Sequence, residues 1–334
     1  MRLVHTHRIP VLTAVGLAVV LLATACTASN ALTTSAAPRL EKTHLVVDAV
    51  PGEGAAGLFI AERDGLFAKA GLHVKIVPVE SSSTSTVLPD MEAGKVDVAS
   101  GQYTSYILPD AFGAAKVRIL AAGYSLGPNV QVVMVRSHGD ATSVTGLRGK
   151  TIALNAINSV TSDLLFNLLS AYGVQQRQVH LEVMPFPEMP AALAEGRVDA
   201  IYEIEPYVTE AEQRYGEEEL ADIDSGANKN FPINGYGVLA SWAAKYPHTA
   251  AAFAKVIQQA NSLAATNIGV LQHVLSTALQ LSPQVTDVMA SGSFPTDTDA
   301  VQLQRVADLM LKYGQIHRPF EIKSIIGMPG TGRT

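Results

Sequence analysis

The chain has 334 residues, enough for two lobes around a sizeable core, since single domains average ~100–200 residues. Charged residues make up 16%, the formal net charge is −6 and no basic run stands out, a balance that excludes nucleic acid as an expected partner. The single cysteine excludes a disulfide framework, so an exported fold here must stand on its packing alone.

The first elements are those of export. Arg2, His5, His7 and Arg8 make a short basic start, and residues 9–25 form an apolar run broken by Pro10, Gly16 and two threonines. At ~17 residues the run is at the lower limit for a transmembrane helix and suits a long signal core. It ends in Leu22-Ala23-Thr24-Ala25-Cys26, which resembles a bacterial lipobox. That resemblance implies cleavage before Cys26 and lipidation of its thiol. An ordinary secretory signal with Cys26 incidental, and an uncleaved membrane anchor, are the other two readings. Residues 27–38 are small and polar, as a flexible tether should be. The expectation is a lipoprotein signal peptide over 1–25 and a tether over 26–42.

From residue 45 onward, short apolar runs alternate with helix-like stretches. Strands are expected at 45–50, 73–79, 96–100, 117–122 and 130–136. Helices are expected at 58–70, closed by Gly71, and at 87–93. The pattern then restarts with strand 150–154, helix 162–172, strand 179–183, helix 189–195 and strand 198–202. In the 162–172 helix Leu164, Leu165, Leu168, Leu169 and Tyr172 share a face, and Gly173 ends it. This β-α-β alternation predicts an α/β fold with mostly parallel sheets covered by helices.

The two halves also repeat. Gly71-Leu72 and Gly173-Val174 each follow a helix and precede a strand, and Gly94-Lys95-Val96-Asp97 matches Gly196-Arg197-Val198-Asp199 at the same offset of 102 residues. A register held across a strand–helix–strand segment predicts two similar lobes rather than a short-period solenoid. After Gly237 a strand at 238–242 is expected to cross back to the first lobe. Helices follow at 250–265, 268–279, 284–290 and 299–313, the last with Val301, Val306, Leu309, Met310 and Tyr313 on one side. No linker precedes them, so they are expected to pack on the lobes as a helical tail. The predicted lobes are 43–138 with 238–334, and 139–237.

The segment from Gly57 to Val74 reads Gly-Leu-Phe-Ile-Ala-Glu-Arg-Asp-Gly-Leu-Phe-Ala-Lys-Ala-Gly-Leu-His-Val. Glu92-Ala93-Gly94-Lys95-Val96-Asp97, Leu147-Arg148-Gly149-Lys150-Thr151-Ile152-Ala153, and Glu195-Gly196-Arg197-Val198-Asp199-Ala200 leading to Glu205-Pro206-Tyr207 follow in order. Together these resemble the binding proteins related to the thiamine-pyrimidine synthases, which include the nitrate, taurine and alkanesulfonate receptors of ABC importers. The resemblance covers about residues 43–265. It implies a two-lobed periplasmic-binding-protein fold with two crossings between the lobes, a ligand in the cleft and hinge closure around it.

Parallel sheets bind ligands at the carboxyl ends of their strands, where helix N-termini and short hydroxyl side chains suit anions. Ser82, Ser83 and Thr84 lie in such a turn, and the alternative is a polar loop that caps the next helix. Gln102 and Tyr103 follow the third strand, as hydrogen-bonding and stacking candidates or as a packed helix start. In the second lobe Asn158 and Ser159 stand where the resemblance places an anionic head group, without the glycine usual there. Glu203 follows a strand and offers a carboxylate to an amine, amidine or ring nitrogen. Glu205, before Pro206, suits a helix start as well. Asn234 and Tyr236 sit at an expected crossing turn.

Catalytic signatures of zinc proteases, serine hydrolases and phosphate-binding loops are missing from the sequence. Asp222-Ile223-Asp224-Ser225-Gly226 begins like a calcium loop without its distal glutamate and reads as a turn. No metal or cofactor is expected, and no enzyme. The resemblance therefore implies an extracytoplasmic, lipid-anchored solute-binding protein that delivers a small organic anion, such as an alkanesulfonate, taurine or nitrate, to an ABC permease. The alternatives are a thiamine-precursor-type pyrimidine or other nitrogenous heterocycle as ligand, and a sensor docking on a membrane receptor.

Overall fold

Leu45, Val47 and Ala49 alternate inward along β1 (His44–Ala49), as the two-residue period of a strand demands, and all three are buried. In the computed structural model, which describes residues 39–50, 52–79 and 84–327, β1 leads to α1 (Ala56–Arg63), α2 (Leu66–Lys69), β2 (His73–Pro78), α3 (Thr84–Glu92), β3 (Val98–Gln102), α4 (Tyr103–Ala111) and β4 (Val117–Ser125). The middle of the chain holds β5 (Gln131–Arg136), β6 (Thr151–Leu154), α5 (Val160–Ala171), β7 (His180–Val183), α6 (Met189–Ala194), β8 (Ala200–Ile204), α7 (Tyr207–Glu210) and β9 (Glu217–Asp222). Then come β10 (Pro232–Leu239), α8 (Ala240–Lys245), α9 (Pro247–Thr266), α10 (Ile268–Leu279), α11 (Pro283–Thr286) and α12 (Ala300–Lys312).

The strands form two five-stranded sheets, ordered β2-β1-β3-β10-β4 and β7-β6-β8-β5-β9. In the first, β10 runs antiparallel to β3 and β4; in the second, β5 runs antiparallel to β8 and β9. The other pairings, β1 with β2 and β3 and β6 with β7 and β8, are parallel. Each sheet thus receives one reversed strand from the other half of the chain, in the same fourth place. The expected two-lobed α/β architecture is present, but its boundaries differ from 138/139 and 237/238. The chain leaves the first sheet after Ser125 and returns to it at Pro232, so β5 belongs with the second lobe and β10 with the first. An apolar run such as Val132-Val133-Met134-Val135, buried on both faces, announces a strand but not which sheet takes it.

The repeated Gly-x-Val-Asp has a physical cause. Asp97 accepts the Val46 amide at 2.9 Å and Asp199 accepts the Thr151 amide at 2.9 Å, so each aspartate ties its strand to the start of its parallel neighbour. Asp97 also takes the Trp242 indole N–H at 2.8 Å and the Lys42 ammonium. Leu40, Glu41 and Lys42, the last part of the expected tether, are held rather than free. Glu41 accepts the Thr249 and His248 amides at the start of α9. Burial would raise the Glu41 carboxyl, but those backbone donors bring it down to about 2.

Local corrections are few. The expected 58–70 helix breaks at Gly65, which takes φ +65° and splits α1 from α2. The strand expected at 238–242 is β10, and Trp242 lies in α8. Residues 284–290 shorten to α11, and the acid-rich strand β9 was not expected. The tail is helical and packs on both lobes. Leu303, Val306 and Met310 of α12 are buried, whereas Val301 is 72% exposed. Tyr313 packs on Phe166 of α5 with ring centroids 5.7 Å apart, and Gln315 donates to Asp163 at 2.5 Å. Among the described residues no helix is long and apolar enough to cross a membrane. The signal and lipidation expectations at 1–25 and Cys26 fall outside the described residues.

Candidate ligand site between the lobes

The crossings fix which edges meet. β4 runs parallel to β1 and β3, so Ser125 is at the carboxyl edge of the first sheet. β5 starts opposite the end of β8, with Gln131 beside Ile204, at the carboxyl edge of the second. Residues 126–130 make the first of two crossings between the sheets, and five residues reach at most about 18 Å. The carboxyl ends of both sheets therefore confront each other across the hinge, where α/β folds place their ligands.

On the first rim, Asn234 of β10 stands opposite Gln102 on β3 and Tyr124 on β4. Its Nδ2 donates to the Gly54 carbonyl at 3.0 Å, while its Oδ1 is buried without a partner. A β-carbon on Gly54 would lie 2.4 Å from that nitrogen, so only glycine admits the contact. Asn234 and Gln102 are brought together as strand neighbours; Asn234 is on a strand, not at a turn. Ser82 and Ser83 lie outside the described residues, and Thr84 opens α3.

Tyr103 is not at the rim. It is 1% exposed, and a β-carbon on Gly235 would meet its hydroxyl at 2.7 Å, so the ring fills the space above that glycine inside the lobe. Burial pushes its phenol well above the usual range. Tyr236 is likewise fully buried and packs edge-on against Phe253.

On the second rim the turn before α5 is a capping device. Ser159 Oγ accepts the Ser162 amide at 3.3 Å and donates to the Ala156 carbonyl at 2.9 Å, and Ser162 Oγ accepts the Ser159 amide at 3.0 Å. Its hydroxyl is thereby committed within the turn. Asn158 adopts φ +57°, the left-handed conformation for which asparagine substitutes for the missing glycine, and its side chain is exposed. Beside it, Asn155 Oδ1 is buried without a partner.

Glu203 faces the other way. It shares a strand face with Ile201 and pairs with Val132, above the apolar cluster of Met134, Val208 and Ala211 that lies under α6 and α7. It is fully buried, Oε1 accepts only the Ile204 amide at 2.9 Å, and Oε2 has no partner. Burial, with repulsion from Glu217, Glu210 and Glu205, pushes the carboxyl well above its usual range. Position along the chain explains the correction: Glu203 is still inside β8, on its helix-covered face, whereas Glu205 lies past the strand's end at Ile204 and is the carboxylate that reaches the hinge. Glu205 caps Thr209 at 3.1 Å and also accepts the Ala290 amide at 3.0 Å. The turn reading of 222–226 agrees with Asp222 accepting the Asp224 amide at 2.8 Å.

The residue that sequence reasoning missed is Glu53. It follows β1 on the first rim and is 8% exposed; its Oε2 accepts the Gly292 amide at 3.4 Å. The Tyr124 and Ser291 hydroxyls lie beside it, yet Oε1 has no well-formed hydrogen bond. Burial, reinforced by Glu205 from the facing lobe, pushes its carboxyl up to about 7. A lone glutamate between glycines, Gly52-Glu53-Gly54, carries no motif; its one signal is its place after the first strand.

Comparison with known proteins bears on this geometry. A model of the NMT1-like family matches residues 39–274. The bicarbonate transport ATP-binding protein CmpC of a Synechocystis species is 25% identical over 243 residues, 66% of this chain and 35% of that protein. A 1,4-dihydroxy-6-naphtoate synthase of Streptomyces coelicolor is 33% identical over 134 residues, 40% of this chain and 43% of that one. The chain thus spans less than half the length of either curated relative. The periplasmic aliphatic sulphonate binding protein SsuA of Escherichia coli has the same fold, with a TM-score of 0.70 at 19% identity over 85% of this chain and 97% of that one. The periplasmic nitrate-binding protein NrtA from Synechocystis aligns at 0.69 and 15% identity, over 86% of this chain and 85% of that chain.

Proposed function

The chain belongs to the NMT1-like family, and from that premise we propose that it is the solute-binding component of an ABC importer. In this reading it captures a small organic molecule between its lobes outside the cytoplasm, is held to the membrane through a lipid on Cys26, and passes its cargo to a permease. The observation that carries the reading is the confrontation of two carboxyl rims across paired crossings at Ser125–Gln131 and Asp222–Pro232. A two-lobed molecule hinged on short crossings closes around what it binds. The solute-binding names of SsuA and NrtA support it, and the synthase among the relatives makes catalysis the rival.

The ligand class expected from the resemblance is a small organic anion of the alkanesulfonate, taurine or nitrate kind. A nitrogenous heterocycle such as a thiamine-precursor pyrimidine is the second reading, and one observation favours it: the buried Glu53 on the first rim. The test is thermal shift of the full-length chain against alkanesulfonates, taurine, nitrate, thiamine and its pyrimidine, because a ligand that binds only the folded state raises Tm. Binding with the ligand recovered unchanged is the expected result; chemical conversion of the bound compound would replace the importer reading with an enzyme.

A further inference from the structure

The helical tail is a third link between the lobes. It is rooted in the first, where α9 packs on α1 and β4 and Asn261 Nδ2 donates to the Pro295 carbonyl at 2.7 Å. From there it runs over both crossings. At the first, Ser293 and Ser125 exchange two backbone hydrogen bonds, of 2.9 and 3.0 Å. The fit is tight: a β-carbon on Gly127 would come within 2.8 Å of the Ser291 carbonyl oxygen, and one on Gly292 within 2.2 Å of the Tyr124 ring. At the second crossing, Arg305 of α12 donates to the Ala227 and Lys229 carbonyls at 2.9 and 3.0 Å and lies over the Phe231 ring.

Past the crossings the tail reaches the second lobe at two places. The Ala290 amide donates to Glu205 at 3.0 Å, and two residues on the Gly292 amide donates to Glu53 of the first lobe at 3.4 Å. Neighbouring amides of one segment are thus held by carboxyls of opposite lobes. At the end of α12, Lys312 donates to Asn167 of α5 at 2.7 Å, Tyr313 packs on Phe166, and Gln315 donates to Asp163 at 2.5 Å. This second junction is not fully satisfied, because Tyr313 Oη and Gln315 Oε1 are both buried without a partner. An orphaned buried polar atom is costly, and water would satisfy both if the junction opened.

We propose that the tail from Ala290 to Gln315 is a clasp, fixed to the first lobe and to both crossings and latched to the second lobe through Glu205, Asp163, Phe166 and Asn167, so that the lobes part only when the latch lets go. The crossings are short segments of backbone that can bend. A packed helix laid over them cannot follow that bend without losing its contacts on one side. The buried orphans weaken the latched state and bring the released one within reach, as a two-state element requires. The inference concerns how the lobes separate, whatever the cleft takes up, and so goes beyond the capture reading.

The test is the interlobe distance in the unliganded full-length chain, with its single cysteine removed by Cys26→Ser and spin labels placed through Lys75→Cys and Glu182→Cys. Both positions are exposed, on β2 and β7, the outer strands of the two sheets. The labelled parent is expected to give one narrow distance distribution. Gln315→Ala should broaden it or shift it by several ångströms, and Glu205→Ala added to it should shift it further, with a cooperative melting transition showing that the protein is still folded. Lys312→Ala, which removes an exposed contact, serves if either of these fails to fold, and should give a smaller shift in the same direction. A lowered Tm with an unchanged distance would reduce the contacts to ordinary packing and overturn the clasp. A parent whose distances are already widely spread would overturn it as well. Neither result depends on a ligand, so solute capture is judged separately.

Discussion

Glu203 sits in the second lobe with one oxygen on the Ile204 amide and the other on nothing. A carboxylate there would be an unpaired buried charge, which proteins avoid by keeping the group protonated. Its folded-state affinity for a proton is raised, so between the unfolded value near 4.5 and the higher folded one, folding must hold a proton that the unfolded chain releases. Stability falls across that window as pH rises. Glu203→Gln keeps the shape and the amide acceptor while removing the titration. The variant is expected to be more stable than the parent at pH 8 by about 1–3 kcal/mol and close to it at pH 4.5. Urea denaturation at the two pH values checks this, and equal effects at both would mean that the carboxyl does not titrate in that window. From sequence the same glutamate looked like a cleft residue, because the strand was legible and its end at Ile204 was not. Asp97 and Asp199 were the opposite case: their pattern repeats in the sequence because each makes the same bond to a neighbouring strand.

At the scale of elements, Ser159 separates a structural role from a binding one. Its hydroxyl closes a capping box at the start of α5, whose leucines Leu164, Leu165, Leu168 and Leu169 are all buried. Ser159→Ala is expected to lower stability by about 1 kcal/mol, the usual worth of such a cap. Affinity for any cleft ligand should be unchanged within twofold or so. A full loss of binding with normal stability would return Ser159 to the site. Helices and parallel strands were legible here because apolar spacing is read directly. β9, Glu217-Glu218-Glu219-Leu220-Ala221-Asp222, was not, since an acid-rich edge strand has no apolar alternation and forms by pairing with β5. The exchange of β5 and β10 between sheets was equally hidden, being a property of topology rather than of local pattern.

At the scale of the molecule, several carboxyls share the condition of Glu203. Burial raises Asp48 to about 6, Glu53 and Asp163 to about 7, and Glu217 to about 8. All four are at most 8% exposed. Glu41 opposes them, but its lowered value makes it matter only below about pH 4.5, where acid begins to remove its hold on α9. Above that pH the folded chain carries more protons than the unfolded chain, so stability should decline from pH 5.5 to 7.5. Each group displaced over one pH unit accounts for about 1.4 kcal/mol. Even one effective group gives a loss on the order of 2–3 kcal/mol, which is a Tm fall of several degrees for a chain of this size. Scanning calorimetry of the unliganded protein across that range is the measurement. An unliganded Tm that rises with pH would mean that these carboxyls are ionised and partnered in the folded state.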